Sequence, residues 1–413
     1  MLVPFDYQEI AIKSLFKYFE DHPTGHPIAA IPTGCGKSLI QAEFLKRAYA
    51  MYARQKVLCL THVRELVQQN YEEFKSQWTH APAGIYSAGL NRKDIHFPIT
   101  FANVQSIVNK IESFGKIDLI FIDECHLLSD QDESTYMRVI NHLLELNPYL
   151  RIIGLSATPW REGLGLLTNG RLFTDICINM CDIISFNWFI KQGYLVPLIP
   201  MRTDIDFSFE DVKTRGGEFI EKDLYECVNA KDEVTFAAIQ EAVKIGLAQD
   251  RKCWLVFGAG LEHVEKIRQM LEYLGISVRS VDSKMGKERD INIQDWKDGK
   301  FTAIVNNGIL TTGVNNKRVD FIIMLRQTNS SKLMVQMLGR GTRALYAPGF
   351  DISTQEGRLA AIAASGRTNT LVLDFARNVR RLGPINDPVI PVKKGEKKGD
   401  VPIKICECCG VYN

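Results

Sequence analysis

Short apolar runs alternate with longer stretches of helical period along this chain, and the alternation occurs twice. In the first half the runs are 28–31, 57–61, 99–102, 119–122 and 152–155, with helical patterns such as 37–54 and 64–77 between them. In the second half they are 252–257, 277–281, 302–306, 321–324 and 370–373, with helical patterns over 261–274 and 332–339. A strand that is apolar throughout has to be covered on both faces, and parallel neighbours need a long crossover that a helix supplies. The pattern therefore predicts an α/β protein with doubly wound, mostly parallel sheets. At 413 residues the chain exceeds one ordinary core, so two such domains in tandem are expected. Their expected bounds are 1–190 and 233–385. A glycine- and proline-punctuated linker at 191–232 separates them, and a lysine-rich tail occupies 386–413. Between the last helical pattern and the last run, 346–367 reads as an insertion of unassigned role.

Composition narrows the class. With 46% hydrophobic and 24% charged residues the chain is globular, and a formal charge of +2 neither requires nor excludes a polyanionic partner. Seven of the ten cysteines are scattered singly (Cys35, Cys59, Cys125, Cys177, Cys181, Cys227 and Cys253), which argues against a disulfide framework. No signal peptide and no run approaching the ~18 apolar residues of a membrane span is visible, so a cytoplasmic setting is expected and no membrane partner.

Four segments carry chemistry. Pro32-Thr33-Gly34-Cys35-Gly36-Lys37-Ser38 follows a strand and opens a helix, the context in which backbone N–H groups attract phosphate. Thr33, Gly34 and Gly36 line such a loop, Lys37 reaches the outer phosphates, and the Ser38 hydroxyl suits Mg²⁺. Asp123-Glu124-Cys125-His126 follows the run 119–122. Adjacent carboxylates at a strand's carboxyl end repel each other unless a cation offsets them. Asp123 thus suits Mg²⁺, and Glu124 suits the base that orients an attacking water; a helix N-cap is the plainer alternative. Ser156-Ala157-Thr158 and Gln336-Met337-Leu338-Gly339-Arg340-Gly341-Thr342-Arg343 complete the set.

In this order the segments resemble the motifs of superfamily 2 helicases. Asp123–His126 resembles motif II, Ser156–Thr158 motif III, Thr311-Thr312-Gly313 the core of motif V, and Gln336–Arg343 motif VI. Tyr7 and Gln8 resemble the upstream pair that reads adenine. The stretches 60–67 and 154–161 are most similar to bacterial RadD-type DNA-repair helicases and their phage-encoded relatives. The resemblance implies two RecA-like domains with ATP in the cleft between them. It also implies that His126, Ser156, Thr158 and Gln336 couple hydrolysis to movement, with Gly313 at the nucleotide. Thr61, Arg64, Gln105 and Thr311 would contact DNA, single-stranded or branched. Arg340, assisted by Arg343, would be the arginine finger, and replication or recombination proteins would be partners in a bacterial or phage-infected cell.

The chain departs from the family at three places. Phe5 stands where relatives often have Arg, and motif V continues as Val314-Asn315-Asn316-Lys317 instead of through an Asp and a Pro. Cys406-Glu407-Cys408-Cys409-Gly410 has the C-x-x-C-G form of one zinc knuckle, so Cys406 and Cys409 would bind Zn²⁺ only with further ligands, and a disordered thiol-bearing tail is the favoured alternative. The leading reading is an ATP-driven DNA helicase or translocase acting in repair, recombination or replication. Its rival is a DNA-stimulated ATPase that remodels partners or drives a restriction-like complex without unwinding. A scaffold with a decayed site is a third.

Overall fold

The computed structural model describes residues 3–62, 64–129, 134–161, 164–205, 214–215, 218–219, 232–311 and 314–390, with backbone alone for 64–65, 214–215 and 218–219. Two compact units divide at Asp182 and Ile183. Each is built on its own mostly parallel sheet. Among the described residues no helix is long and apolar enough to cross a membrane.

The first unit contains β1 (Pro27–Ala30), β2 (Val57–Thr61), β3 (Ala83–Ser87), β4 (Arg92–Lys93), β5 (Ile99–Asn103), β6 (Leu119–Asp123), β7 (Arg151–Ser156), β8 (Trp160–Arg161), β9 (Gly165–Leu166) and β10 (Asp175–Asn179). Eight of them form one sheet in the order β10-β1-β7-β6-β2-β5-β3-β4, and β8 with β9 makes a separate hairpin. Every pairing in the large sheet is parallel except β3 with β4. The five predicted runs are all strands, and β1, β2 and β5 are buried along their whole length, as a doubly covered sheet requires. The order places β1, β7 and β6 side by side. Their carboxyl ends deliver the phosphate loop, Ser156 and Asp123 to neighbouring positions on one edge.

In the second unit the strands are β11 (Leu198–Met201), β12 (Thr214–Arg215), β13 (Glu218–Phe219), β14 (Trp254–Phe257), β15 (Val278–Val281), β16 (Ala303–Asn306), β17 (Phe321–Met324) and β18 (Thr370–Asp374). Six of them make an all-parallel sheet in the order β11-β18-β17-β14-β16-β15. Trp254 at the centre is fully buried, with Ala242, Val256, Phe321 and Leu373 in the same apolar core. A side chain at Gly246 would approach Trp254 to 2.5 Å, so the helix Asp232–Ala248 can lie this close only with glycine there.

The sequence places 191–232 in a linker, yet Leu198–Met201 is an edge strand of the second sheet and the helix Ile183–Lys191 falls within the second unit. The insertion at 346–367 contains a helix of its own, Gln355–Ala364, capped by Thr354. The tail and its cysteines Cys406 and Cys409 lie outside the described residues, as does Gly313.

Candidate active site

β1 runs between β7 and β10, and its ladder extends one residue beyond the strand, where the Ile31 N–H donates to the Ser156 carbonyl at 2.9 Å. The chain then turns through Pro32–Gly36 and enters the helix Lys37–Met51. Gly34 and Gly36 have φ of 91° and 70°, a conformation that costs L-residues with a side chain. Gly36 is doubly required, because a Cβ there would lie 2.5 Å from the Gln8 amide nitrogen. No side chain caps the helix, and its first turn carries no acidic residue. Its leading N–H groups are therefore open to an anion. Lys37 is half-buried, and its Nζ lies 3.4 Å from the Ile31 carbonyl, folded back over the loop. Ser38 follows it, also half-buried.

Tyr7 and Gln8 lie on the buried face of the helix Asp6–Asp21 and converge on the same loop. The Tyr7 hydroxyl and the Gln8 amide both donate to the Cys35 carbonyl, at 3.1 and 3.2 Å. The Gln8 amide oxygen accepts from the Phe5 N–H at 2.9 Å. Both polar ends of Gln8 are thus engaged in holding the phosphate loop and the start of its own helix. A bidentate pair, Arg47 to Glu9 at 2.7 and 2.8 Å, ties that helix to the one Lys37 begins.

Asp123 ends β6. One carboxylate oxygen accepts from Asn70 Nδ2 at 2.9 Å, the other from the Glu124 N–H at 3.0 Å. Burial and then the neighbouring Glu124 carboxylate push its pKa up to about 6, against the opposing pull of Lys37. A carboxylate crowded in this way is one that a divalent cation would relieve, so Asp123 and Ser38 fit Mg²⁺. Among the described residues there is no cluster of three or more acidic, His or Cys ligands. Glu124 takes left-handed φ and ψ of 49° and 49°, a strained state of the kind that collects at functional sites. The turn carries the chain out of the strand and into the short 3₁₀ segment Cys125–Leu127.

His126, fully buried, joins the two motifs. Its Nδ1 lies 2.8 Å from Ser156 Oγ, 3.2 Å from Thr158 Oγ1 and 3.4 Å from Glu124 Oε2. Ser156 Oγ also accepts from the Thr158 N–H at 3.0 Å, which fixes the loop after β7. One polar chain thereby runs from Glu124 through His126 to Ser156, whose carbonyl is bonded to the residue that opens the phosphate loop. Cys125 packs beneath: a Cβ at Gly154 would meet its sulfur at 2.8 Å, and burial holds the thiol well above its usual range. Buried and held neutral, its side chain packs as a small apolar group.

The expected DNA-contacting residues are placed differently from one another. Gln105 is exposed, and its N–H donates to Asn103, whose amide donates to the His62 carbonyl at 2.9 Å. Thr61 is only 2% exposed at the end of β2, and Thr311 is buried with its hydroxyl donated to the Gly308 carbonyl at 2.6 Å. Both threonines are thus buried, and the Thr311 hydroxyl is bonded within its own loop. The Arg64 side chain lies outside the described residues.

In the second unit Arg340, 7% exposed, donates to the Val314 carbonyl at 2.7 Å and to the Thr311 carbonyl. Arg343 donates to the same Val314 carbonyl at 2.8 Å. Both arginines therefore grip the loop after β16, and Gln336 is buried on the helix that precedes them. Asn316 gives that loop its shape: its oxygen accepts from the Arg318 N–H at 3.0 Å and its amide reaches the Cys253 sulfur at 3.4 Å. Asn315 and Lys317 face outward.

Three residues of these sites escape a motif reading. Asn70 has a signal, since it is an amide on the buried stripe Leu66, Val67 and Phe74 of its helix. Arg367 and Arg358 have none, because a buried arginine cannot be told from an exposed one by spacing. Arg367 donates to the carbonyls of Val319 at 2.6 Å, Gly341 at 2.5 Å and Arg343, bracing the strand of backbone that carries the motif VI arginines.

Comparison with known proteins bears on the same regions. Residues 1–161 match the family described as type III restriction enzyme, res subunit, and residues 235–345 match the helicase conserved C-terminal domain. The chain is similar to IRC3 of Saccharomyces cerevisiae, 25% identical over 355 residues that take in 82% of this chain and 49% of that protein. It is also similar to the ATP-dependent DNA helicase uvsW of Enterobacteria phage T4, 22% identical over 348 residues, 82% of this chain and 65% of that one. The chain thus spans about half the length of IRC3. Among solved structures it resembles the fragment of an HsdR subunit of a type I restriction enzyme from Vibrio vulnificus YJ016. The TM-score is 0.68 at 21% identity, over 95% of this chain and 68% of that one, a likeness of fold.

Proposed function

We propose, from the premise that the chain belongs to superfamily 2 of the helicases and carries two RecA-like α/β units, that it hydrolyses ATP to drive movement along DNA. The observation that carries this reading is the junction at three adjoining strand ends. Lys37 and an open helix N-terminus follow β1, Ser156 ends β7, Asp123 and Glu124 end β6, and His126 links the last two.

The helix N-terminus and Lys37 hold the phosphates. Ser38 and Asp123 hold Mg²⁺, which when bound supplies positive charge to the outer phosphates. Glu124 orients the attacking water, its side chain placed by a left-handed backbone turn directly after Asp123. His126, touching Glu124 on one side and Ser156 and Thr158 on the other, passes a change at the base to the loop after β7. Arg340 and Arg343 supply charge to the transition state, a role worth roughly 10³–10⁵ in rate. In that role they exchange the Val314 and Thr311 carbonyls for phosphate oxygens. DNA is the preferred polymer because uvsW is named a DNA helicase and because 60–67 and 154–161 resemble DNA-repair helicases.

The likeness to an HsdR subunit favours one second reading, a DNA-stimulated ATPase that drives a restriction-like assembly without unwinding. Phosphate release with and without single-stranded DNA tests the shared premise, and release indifferent to DNA contradicts both readings. Displacement of a labelled strand from a forked duplex separates them, since the second predicts hydrolysis without displacement.

A further inference from the structure

The path by which the chain enters the second unit carries information that the helicase motifs do not. After the helix Ile183–Lys191, residues 192–196 run beside the arginine-bearing segment of motif VI: Leu195 makes an antiparallel bridge with Arg343, and the Val196 N–H donates to the Thr342 carbonyl at 2.8 Å. The insertion at 346–367 closes over this strip. Arg358, 2% exposed, donates from Nε to the Gln192 carbonyl at 2.8 Å. From another nitrogen it donates to the Ile352 and Ser353 carbonyls at 3.0 and 2.9 Å. Its guanidinium sits 4.0 Å from the centre of the Tyr194 ring. The Tyr346 hydroxyl donates to the Gly193 carbonyl at 2.6 Å, and the Gln355 amide to that of Lys191 at 3.0 Å. Gly193 has φ of 73°, and a Cβ there would press on Arg358 Cβ and Leu359 at 3.2 Å. Val196, Ala344 and Ile362 seal the strip with a small apolar cluster.

Three successive carbonyls, of Lys191, Gln192 and Gly193, are thus taken by three side chains of one insertion, and Leu195 and Val196 beyond Tyr194 are bonded to Arg343 and Thr342. A buried guanidinium spent on backbone carbonyls is costly to desolvate and persists only where its fork is fully used. We propose that Arg358 and Tyr346 are positioning residues: they hold residues 191–193 of the second unit, and with them the bridged Leu195 and Val196, beside motif VI, so that this segment sets where Arg343 stands. The inference rests on the proposed ATPase reading.

The test uses the full chain carrying Tyr346→Phe, which removes one hydroxyl, and Arg358→Lys, which keeps the charge but cannot reach the Gln192, Ile352 and Ser353 carbonyls together. ATP turnover with saturating single-stranded DNA is measured beside binding of a fluorescent ATP analogue and thermal melting. The clamp predicts kcat down about tenfold in Arg358→Lys and about threefold in Tyr346→Phe, with KM for ATP and analogue affinity within about twofold of wild type. A merely structural role would lower melting and active fraction without that split. Unchanged kcat in a folded Tyr346→Phe protein, or kcat and nucleotide affinity falling together, overturns the proposal. If Arg358→Lys does not fold, Tyr346→Phe decides alone. A wild-type protein that releases no phosphate contradicts the ATPase reading itself, an outcome distinct from either.

Discussion

The two units carry the same kind of sheet but hold their functional side chains in opposite ways. In the first, polar groups at the strand ends point at a shared place: Lys37, Asp123 and Glu124 stand around one loop, and His126 backs them. In the second, the charged groups are turned onto their own backbone, Arg340 and Arg343 onto Thr311 and Val314, Arg367 onto Val319 and Gly341. In the proposed reading the first half offers an open helix N-terminus to a nucleotide, with Lys37 and Asp123 already bonded to Ile31, Asn70 and Glu124 beside it. A half whose donors are already satisfied must exchange partners to act, and that exchange is a natural point at which a second ligand exerts control.

The largest effect expected from this contrast is at Lys37. Lys37→Ala should bring phosphate release to background while the melting temperature stays within about 2 °C of wild type, since the side chain makes one long bond to the Ile31 carbonyl. A mutant that melts much earlier would mean that Lys37 is as structural as its counterparts in the second unit.

Arg340→Ala should show the opposite character. Turnover falls by roughly 10³, and the fold suffers as well, because the Val314 and Thr311 carbonyls lose a buried donor at about 1–3 kcal/mol. Turnover measurements paired with denaturant melts check this. Loss of turnover without loss of stability would remove the contrast between the units.

The smallest effect concerns pH. His263 on the helix Leu261–Tyr273 is 1% exposed, accepts from the Ala259 N–H at 3.0 Å, and burial lowers its pKa to about 3. The unfolded chain takes up a proton below pH ~6.5 and the folded one does not until about 3. Its contribution is therefore complete above pH ~6.5 and is lost as pH falls toward 3, with a limiting slope of about 1.4 kcal/mol per pH unit. His263→Gln should flatten unfolding free energy against pH in that window, and an unaltered slope would assign the acid sensitivity elsewhere.

What could be read from sequence follows the same division. The placement of Pro32–Ser38, Asp123–Glu124 and Ser156–Thr158 on one sheet edge is legible because each directly follows an apolar run that becomes a strand of the same parallel sheet. The ten predicted strands are legible because buried parallel strands read as continuous apolar stretches. The strand Leu198–Met201 is not, because Pro197 and Pro200 read as breakers, and only an edge position, paired with β18 alone, tolerates them. Nor is the burial of Thr61, Thr311 and Arg340: a motif records which residue stands at a position, while the direction its side chain takes depends on carbonyls supplied by distant segments. Arg358 and Tyr346 reach such carbonyls from an insertion that reads as featureless.

The central claim is that the first unit's junction is a hydrolytic site in which binding and chemistry belong to different carboxylates. Glu124→Gln tests it most directly, through ATP affinity and phosphate release measured on the same protein with single-stranded DNA present. The substitution leaves Lys37 and the helix N-terminus in place and removes only the Glu124 charge that raises the Asp123 pKa, so affinity should stay within about threefold of wild type while release falls by about 10³ or more. Release close to wild type, or affinity lost together with release, would contradict the assignment of Glu124 as the water-orienting base.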